Sequence, residues 1–383
     1  MKILLVSMNS IHFVRWTEQL KDSGYDVYWF DILDGGKTDR LPWVHQIVDW
    51  KRKFKNLKGR YFFKTYMPFL YSKLHFLFEH KVTETFEKVI HDIKPDVVHS
   101  FVLQISCLPI LDVMKRHKNI VWLYSSWGSD LYNKANKPSY ENDLTSVLPK
   151  IDYLITDNLR DYKIANNYGF KGDFLGVFPG GGGFKYNDLN KDWLWPVDKR
   201  KTILVKGYQG KLGRCIEVIK ALVLLKEDLK GYNIVIFGAD EDVIEYIKTK
   251  NTVSEFSLQV FPRKEFKSHE DILKLMGMSL IYIGNSVSDG LPNTLLEAVV
   301  MGAFPIQSNP GGVTEEIITP YKNGLLIEKS NDIQHISELV ALSIKNTALI
   351  KSAFILNQKK IKPKFEYTYI HKQVLKAYNS LLE

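Results

Sequence analysis

The chain reads as an α/β protein built of two doubly wound units, each a parallel sheet with crossover helices. Three observations predict this. Its 383 residues exceed what one ordinary core encloses and suit two domains of about 150 to 200 residues each. Short strand-like runs alternate with helical patterns from end to end. The strand series then restarts near residue 200, after a segment whose composition suits a linker.

In the first half, strands are expected at KILLVS, DVYWF, PDVVHSF, NIVWLY, DYLIT and FLGVF. A second series runs through TILVK, NIVIFG, LQVF, LIYIG, FPIQS and LLI. Between them, residues 179–200 combine proline, four consecutive glycines and mixed charge, which breaks both periodicities. The closing stretch repeats Tyr369, Ile370, Val374, Leu375, Tyr378 and Leu382 at helical spacing. The expected organisation is a domain over 1–183, a second over 184–366, a cleft between them, and a last helix over 367–383 packing back on the first. In open sheets of this kind ligands sit outside the carboxyl ends of the strands, so the loops that follow strands carry the chemistry.

Composition narrows the class. Hydrophobic residues at 45% and charged residues at 25% exclude disorder and fibrous repeats. The opening apolar run is interrupted by Ser7, Asn9 and Ser10, too soon for a signal peptide, and no apolar run approaches the ~20 residues that span a bilayer. A cytoplasmic address is expected. Cys107 and Cys215 lack metal-ligand spacing, so neither a disulfide nor a structural zinc is expected and both read as buried thiols. The net charge of +9 favours anionic partners, whether nucleotide phosphates, nucleic acid or lipid headgroups.

The most informative segment runs from Ile281 to Ile317. A strand leads through Asp289, Gly290, Leu291, Pro292, Asn293 and Thr294 into an apolar helix. Small residues are thereby delivered to a helix N-terminus, where free N–H groups and the helix dipole favour phosphate. Glu297 lies eight positions after Asp289, about two turns in if the helix begins soon after Gly290. By spacing alone, Asp289 is a sugar contact or an N-cap, and Glu297 a ribose contact or a plain helix residue. Gly312, before Thr314 and Glu315, is a second phosphate-facing turn or simply a loop glycine.

The wording SDGLPNTLLEA, followed by MGAFPIQSNPGGVTEEI and NGLLI, resembles the signature of retaining glycosyltransferase family 4, in which two glutamates flank seven residues before an apolar helix. The resemblance implies a GT-B fold, with the donor held by the second domain and the acceptor by the first. It also implies that Glu297 binds the donor ribose and Asp289 approaches the donor sugar. Asp289 is one methylene shorter than the family's glutamate, which leaves open the sugar's identity and a weakened site.

The segment TILVKGYQGKLGRCIEVIKAL places Lys206, Gly207, Lys211 and Arg214 in a glycine-rich basic loop suited to a diphosphate. Family members carry Arg at the strand end and Lys about five residues later. Here the cations are exchanged and respaced, so the resemblance assigns Lys206 and Arg214 to the departing diphosphate. Lys211 is a donor contact or a solvated charge. In the first half, NSIHFVRWTEQL and WGSDLY also resemble family wording, and place His12, Arg15 and Asp130 as acceptor or cleft residues. A structural histidine and a helix-capping aspartate are the alternatives for the first and last.

The resemblance further implies front-face substitution with retention, a nucleotide-sugar donor with UDP as the commonest base, a glycan or lipid-linked acceptor in surface polysaccharide synthesis, and no cofactor or metal. Asp240, Glu241 and Asp242 have the spacing of a magnesium-binding triplet, but acidic residues opening a helix are stabilised by its dipole. The rival readings are a sugar-nucleotide epimerase of the same architecture and a non-catalytic nucleotide-sugar or glycan-binding module. From Leu41 to Lys81, where the resemblance fades, nine Lys or Arg stand against Asp49 and Glu79 amid eleven aromatic residues. That mixture suits docking on an anionic membrane. Alternatively, Phe69, Phe76 and Phe78 fill the first domain's core. No nucleic-acid motif accompanies the charge.

Overall fold

The computed structural model describes residues 1–54, 62, 65–69, 74, 77–135, 137–185, 191–250, 256–265 and 268–382. The chain divides into two compact units: Met1–Asp157 with Asp161–Gly182 and Gln373–Glu383, and Gly183–Lys372 with Asn158–Arg160.

In the first unit the strands are β1 (Lys2–Ser7), β2 (Asp26–Asp31), β3 (His45–Ile47), β4 (Val97–Phe101), β5 (Val121–Ser125), β6 (Tyr153–Thr156) and β7 (Asp173–Val177). All are parallel, in the order β3-β2-β1-β4-β5-β6-β7. Helices cover both faces of the sheet. The central strands are therefore buried on both sides: β1 is buried from Ile3 to Ser7 and β4 along its whole length, with no alternation of buried and exposed positions. On one face Leu4, Val6, Phe30, Trp122 and Leu154 pack with α2 (Val82–Ile93) and α3 (Leu111–Arg116). Against the other lies α1 (Ile11–Thr17), whose N-cap Ser10 accepts the Phe13 N–H and whose Phe13 and Trp16 meet Trp29 and Phe101. Strand β3 was not expected. Only three residues long, it carries no period of its own and is made a strand by pairing with β2.

In the second unit β8 (Thr202–Lys206), β9 (Asn233–Ala239), β10 (Leu258–Pro262), β11 (Ser279–Gly284), β12 (Phe304–Ser308) and β13 (Leu325–Ile327) form a parallel sheet ordered β10-β9-β8-β11-β12-β13. One face packs Ile203, Val205, Ile236 and Ile283 with α4 (Cys215–Val223) and α5 (Glu241–Thr249). The other packs Leu204, Phe237 and Tyr282 with α6 (His269–Met278) and α7 (Asn293–Val300). Both cysteines are free and buried.

The closing helix α8 (Tyr367–Asn379) contributes its second half to the first unit. There the Tyr378 hydroxyl meets His99 Nδ1 at 2.5 Å and accepts from the Trp16 indole at 3.1 Å, while His99 Nε2 lies 2.7 Å from Ser125 Oγ. His99 is fully buried, and burial holds its imidazole well below the usual histidine range.

Of the three phenylalanines that one reading puts in the core, neither of the two described is buried there. Phe69 is 72% exposed, Phe78 is half-buried, and Phe76 lies outside the described residues. Phe54, Phe62 and Tyr66 are exposed as well. Core positions nearby are taken instead by Trp50, stacked on Phe30, and by Phe86 of α2. No single helix among the described residues is long and apolar enough to cross a membrane.

Candidate functional site

In the second unit the order of connection reverses between β8 and β11, which lie side by side with their crossovers leading in opposite directions. The loops leaving their carboxyl ends therefore meet. The backbone joins them: Arg214 donates to the Asn285 carbonyl at 3.0 Å and Val287 to that of Leu212 at 2.9 Å. Two glycines make the first loop possible. Gly210 has a φ of +84°, and a side chain on Gly213 would stand 2.2 Å from the Tyr208 carbonyl oxygen.

Lys206 ends β8 with its Nζ 3.9 Å from Asp289 Oδ2 and 4.5 Å from the centre of the Tyr208 ring. Asp289 is half-buried in the second loop. Burial pushes its carboxyl above the usual range, against the opposing pull of Lys206 and the Gly290 N–H. Asn285 Oδ1 and Ser288 Oγ of the same loop are buried without a protein partner, as expected of a surface that receives a ligand or water. Gly207 continues straight from Lys206, donating its N–H to the Phe237 carbonyl, and Lys211 is exposed.

Helix α7 begins at Asn293, with Pro292 in the N-cap position, rather than directly after Gly290. Glu297 thus sits one turn in, not two. Proline supplies no side-chain cap, so the first turn is held by other means: Tyr282 donates its hydroxyl to Thr294 at 3.0 Å, while Leu291 and Pro292 are buried behind it. Asn293 and Thr294 remain half-exposed at the dipole's positive end. The Glu297 side chain is 5% exposed, and its Oε1 lies 2.7 Å from His269 Nε2 at the start of α6.

Among the other candidates, Arg214 is placed differently from expectation. Arg214 turns back on its own loop, donating to the Gly210 and Gly213 carbonyls and to Asn331 Oδ1, so its guanidinium shapes the loop. Asp240 is held through both oxygens, by Arg263 at 3.0 Å and the Gln209 N–H at 2.9 Å. Gly312 lies in a short 3-10 turn, Pro310–Glu316, with a φ of +79°.

In the first unit, His12 and Arg15 are half-buried on α1, and the His12 ring lies 5.8 Å from that of Trp127. Asp130 is 2% exposed and does not present a carboxylate to a ligand. It accepts from the Leu103 and Trp127 N–H groups and from the Tyr124 hydroxyl, which uses the charge to tie down two loops.

Three residues went unnoticed in the sequence: Tyr208, Arg263 and His269. Arg263 stacks its guanidinium 3.9 Å from the centre of the Tyr208 ring, so two cations, Lys206 and Arg263, flank one aromatic. The third is His269. Its signal was present in Ser268 and Asp271, which form the capping box that starts α6 one residue before the histidine.

The family described as Glycosyl transferases group 1 matches residues 189–360, and Glycosyl transferase 4-like matches residues 2–158. No curated protein matches the chain. Among solved structures, the fold is similar to a glycosyltransferase from Rickettsia africae ESF-5, with TM-score 0.69, 17% identity, and 100% of this chain and 98% of that one covered. It is similar to Anabaena HepE in complex with UDP, at TM-score 0.71 and 12% identity over 99% and 100% of the two chains. It is also similar to sucrose-phosphate synthase from Thermosynechococcus elongatus, at 0.71 and 16% over 100% and 99%. These identities carry the fold, and the two family matches, one on each parallel sheet, carry the kinship. The chain belongs to the GT-B glycosyltransferases, of the group 1, glycosyltransferase 4-like type.

Proposed function

We propose that the enzyme transfers a hexose from a UDP-sugar to a glycan or lipid-linked acceptor in surface polysaccharide or glycoconjugate synthesis, with retention of configuration and without a metal. The observation that carries this reading is the pairing of Lys206 with Asp289 and of His269 with Glu297 around the meeting loops of β8 and β11. Anabaena HepE, of similar fold, has been solved with UDP and with UDP-glucose, which supports the choice of base.

In this reading Glu297 receives the ribose hydroxyls and the N–H groups of Asn293 and Thr294 face phosphate. Lys206 and Arg263 neutralise charge as the anomeric C–O bond breaks and its electron pair leaves with the diphosphate. The acceptor oxygen bonds to the anomeric carbon from the same face, and its proton passes to a departing phosphate oxygen. Asp289 hydrogen-bonds sugar hydroxyls and sets their register. Arg214 orders the loop rather than touching the diphosphate. A peripheral position on an anionic membrane carrying a lipid-linked acceptor is the last part of this reading, and the exposed Phe54, Phe62, Tyr66 and Phe69, close in sequence to Lys51, Arg52 and Lys53, support it.

Thermal-shift screening against UDP, GDP, ADP and their sugars identifies the donor, since a ligand that binds only the folded state raises the melting temperature. Proton NMR of the product and turnover in EDTA then test the rest. An α-linked product from an α-donor and undiminished turnover in EDTA are expected. An inverted product, or activity lost to EDTA and restored by Mg²⁺, overturns the mechanism. Nucleotide binding without release of sugar points to a binding module.

A further inference from the structure

Away from the donor loops, the first unit carries a cluster of three side chains that the transfer reaction does not use. Glu87 and His91 are four residues apart on α2 and so share one face of the helix. His117 caps the carboxyl end of α3. His117 Nε2 lies 2.5 Å from Glu87 Oε1, His91 Nε2 lies 3.6 Å from the same oxygen, and one ligand atom from each residue falls within 4.8 Å of the others. The two imidazoles meet edge to face at 5.6 Å.

We propose that Glu87, His91 and His117 form a Zn²⁺ site that staples α2 to α3. Zinc bonds of about 2.0 to 2.2 Å in tetrahedral geometry set neighbouring ligand atoms roughly 3.3 Å apart. The separations here bracket that figure. Closing the site requires His117 to draw back slightly from Glu87 and His91 to swing inward. His91 is free to do so, its side chain being 68% exposed, whereas Glu87 and His117 are held at 26% and 19%.

The ligand set selects the metal. Two imidazole nitrogens and one carboxylate suit zinc, while Mg²⁺ and Ca²⁺ require oxygen donors. Coordination through His117 Nε2 needs the tautomer with its proton on Nδ1, so the ring exchanges its hydrogen bond to Glu87 for a metal bond. The second carboxylate oxygen of Glu87 is engaged by Arg116, an outer contact that orients the ligand oxygen toward the histidines. Three protein ligands leave the fourth position to water.

The place of the cluster in the fold indicates what the ion does. Both α2 and α3 run back toward the amino ends of the strands that follow them, β4 and β5; His91 and His117 lie at the carboxyl ends of those helices and Glu87 one turn before His91. The site is therefore at the amino edge of the sheet, opposite the edge where sheets of this kind bind substrates. Its role is to stabilise this unit and to make that stability depend on zinc. It goes beyond the transfer reaction and does not rest on the donor assignment.

The test uses the full chain with no histidine tag, stripped with EDTA and then titrated with Zn²⁺ or Mg²⁺ while melting is followed. Zinc at a hundredfold excess over its dissociation constant is expected to raise the melting temperature by roughly 5 to 10 °C, with one ion bound per chain. Mg²⁺ is expected to have no effect. In His91→Ala, an exposed substitution that leaves the fold intact, zinc affinity falls at least tenfold, and His117→Gln behaves likewise. UDP affinity is unchanged by zinc, which separates this result from the donor reading. An equal zinc response in wild type and His91→Ala, or no bound zinc in wild type, shows an ion-pair cluster only and overturns the proposal.

Discussion

At the level of single residues, the donor site is a small set of charges whose surroundings decide their roles. Glu297 and Asp289 are both acidic and eight positions apart, yet one is buried against His269 and the other half-buried beside Lys206. Glu297→Ala removes a buried, charge-assisted contact and is expected to weaken UDP binding about ten- to a hundredfold by calorimetry. His269→Ala is expected to weaken it less and to raise KM with little change in kcat, because the imidazole positions the carboxylate without meeting the sugar. Unchanged UDP affinity in both variants would remove Glu297 from the ribose. Asp289→Asn is expected to lower turnover about ten- to a hundredfold while UDP affinity stays within a few-fold. Because burial raises the Asp289 carboxyl, the acid limb of turnover in wild type should lie above the ordinary aspartate range near 3.9 and disappear in the Asn variant. Loss of UDP binding in a folded Asp289→Asn protein would mean that the carboxylate faces the nucleotide.

At the level of elements, the helix ends and loops carry function, and the strands hold them in place. The β8 and β11 loops owe their junction to backbone hydrogen bonds that no residue pattern announces. The buried contact of His99 with Tyr378 shows another device, in which α8 enters the first unit through one hydroxyl shared by His99 and Trp16. Its consequence is a pH dependence. The native state holds His99 neutral with a depressed pKa, whereas the unfolded chain binds a proton near pH 6.5. Stability from this group is fully present above about pH 6.5 and is lost as the pH falls below it, at roughly 1.4 kcal/mol per pH unit. Melting curves between pH 7.5 and 5.5 should therefore fall more steeply for wild type than for His99→Gln. Parallel slopes would show that other groups govern the acid limb.

For the molecule as a whole, charge and exposed aromatics bear on location. Lys51, Arg52 and Lys53 precede Phe54, Phe62, Tyr66 and Phe69, all four exposed, and each basic residue near an anionic surface contributes about 1 kcal/mol. Lys55, in the same basic run, lies outside the described residues. The enzyme is expected to float with anionic vesicles at low salt and less at high salt. Binding should weaken when Lys51, Arg52, Lys53 and Lys55 are replaced by Glu. Protein that stays at the bottom at every salt concentration would direct attention to a soluble acceptor.

The twelve strands expected from the sequence are all present, because buried parallel strands write themselves as short apolar runs that depend on local composition alone. The loops after β8 and β11 were legible for a related reason, since Gly210, Gly213 and Pro292 record local backbone requirements. What the tertiary structure decided is where polar side chains find partners. Asp130 looked like a ligand contact but is spent on the N–H groups of Leu103 and Trp127, the first of which is 27 positions away. Arg214 looked like a phosphate cation but closes its own loop, while Arg263 reached the site without a motif and His269 with only the helix-start signal of Ser268 and Asp271 beside it. A hydrophobic residue needs only to be buried, and its own identity says so. A charged residue needs a specific partner within about 4 Å, and folding alone brings that partner from elsewhere in the chain.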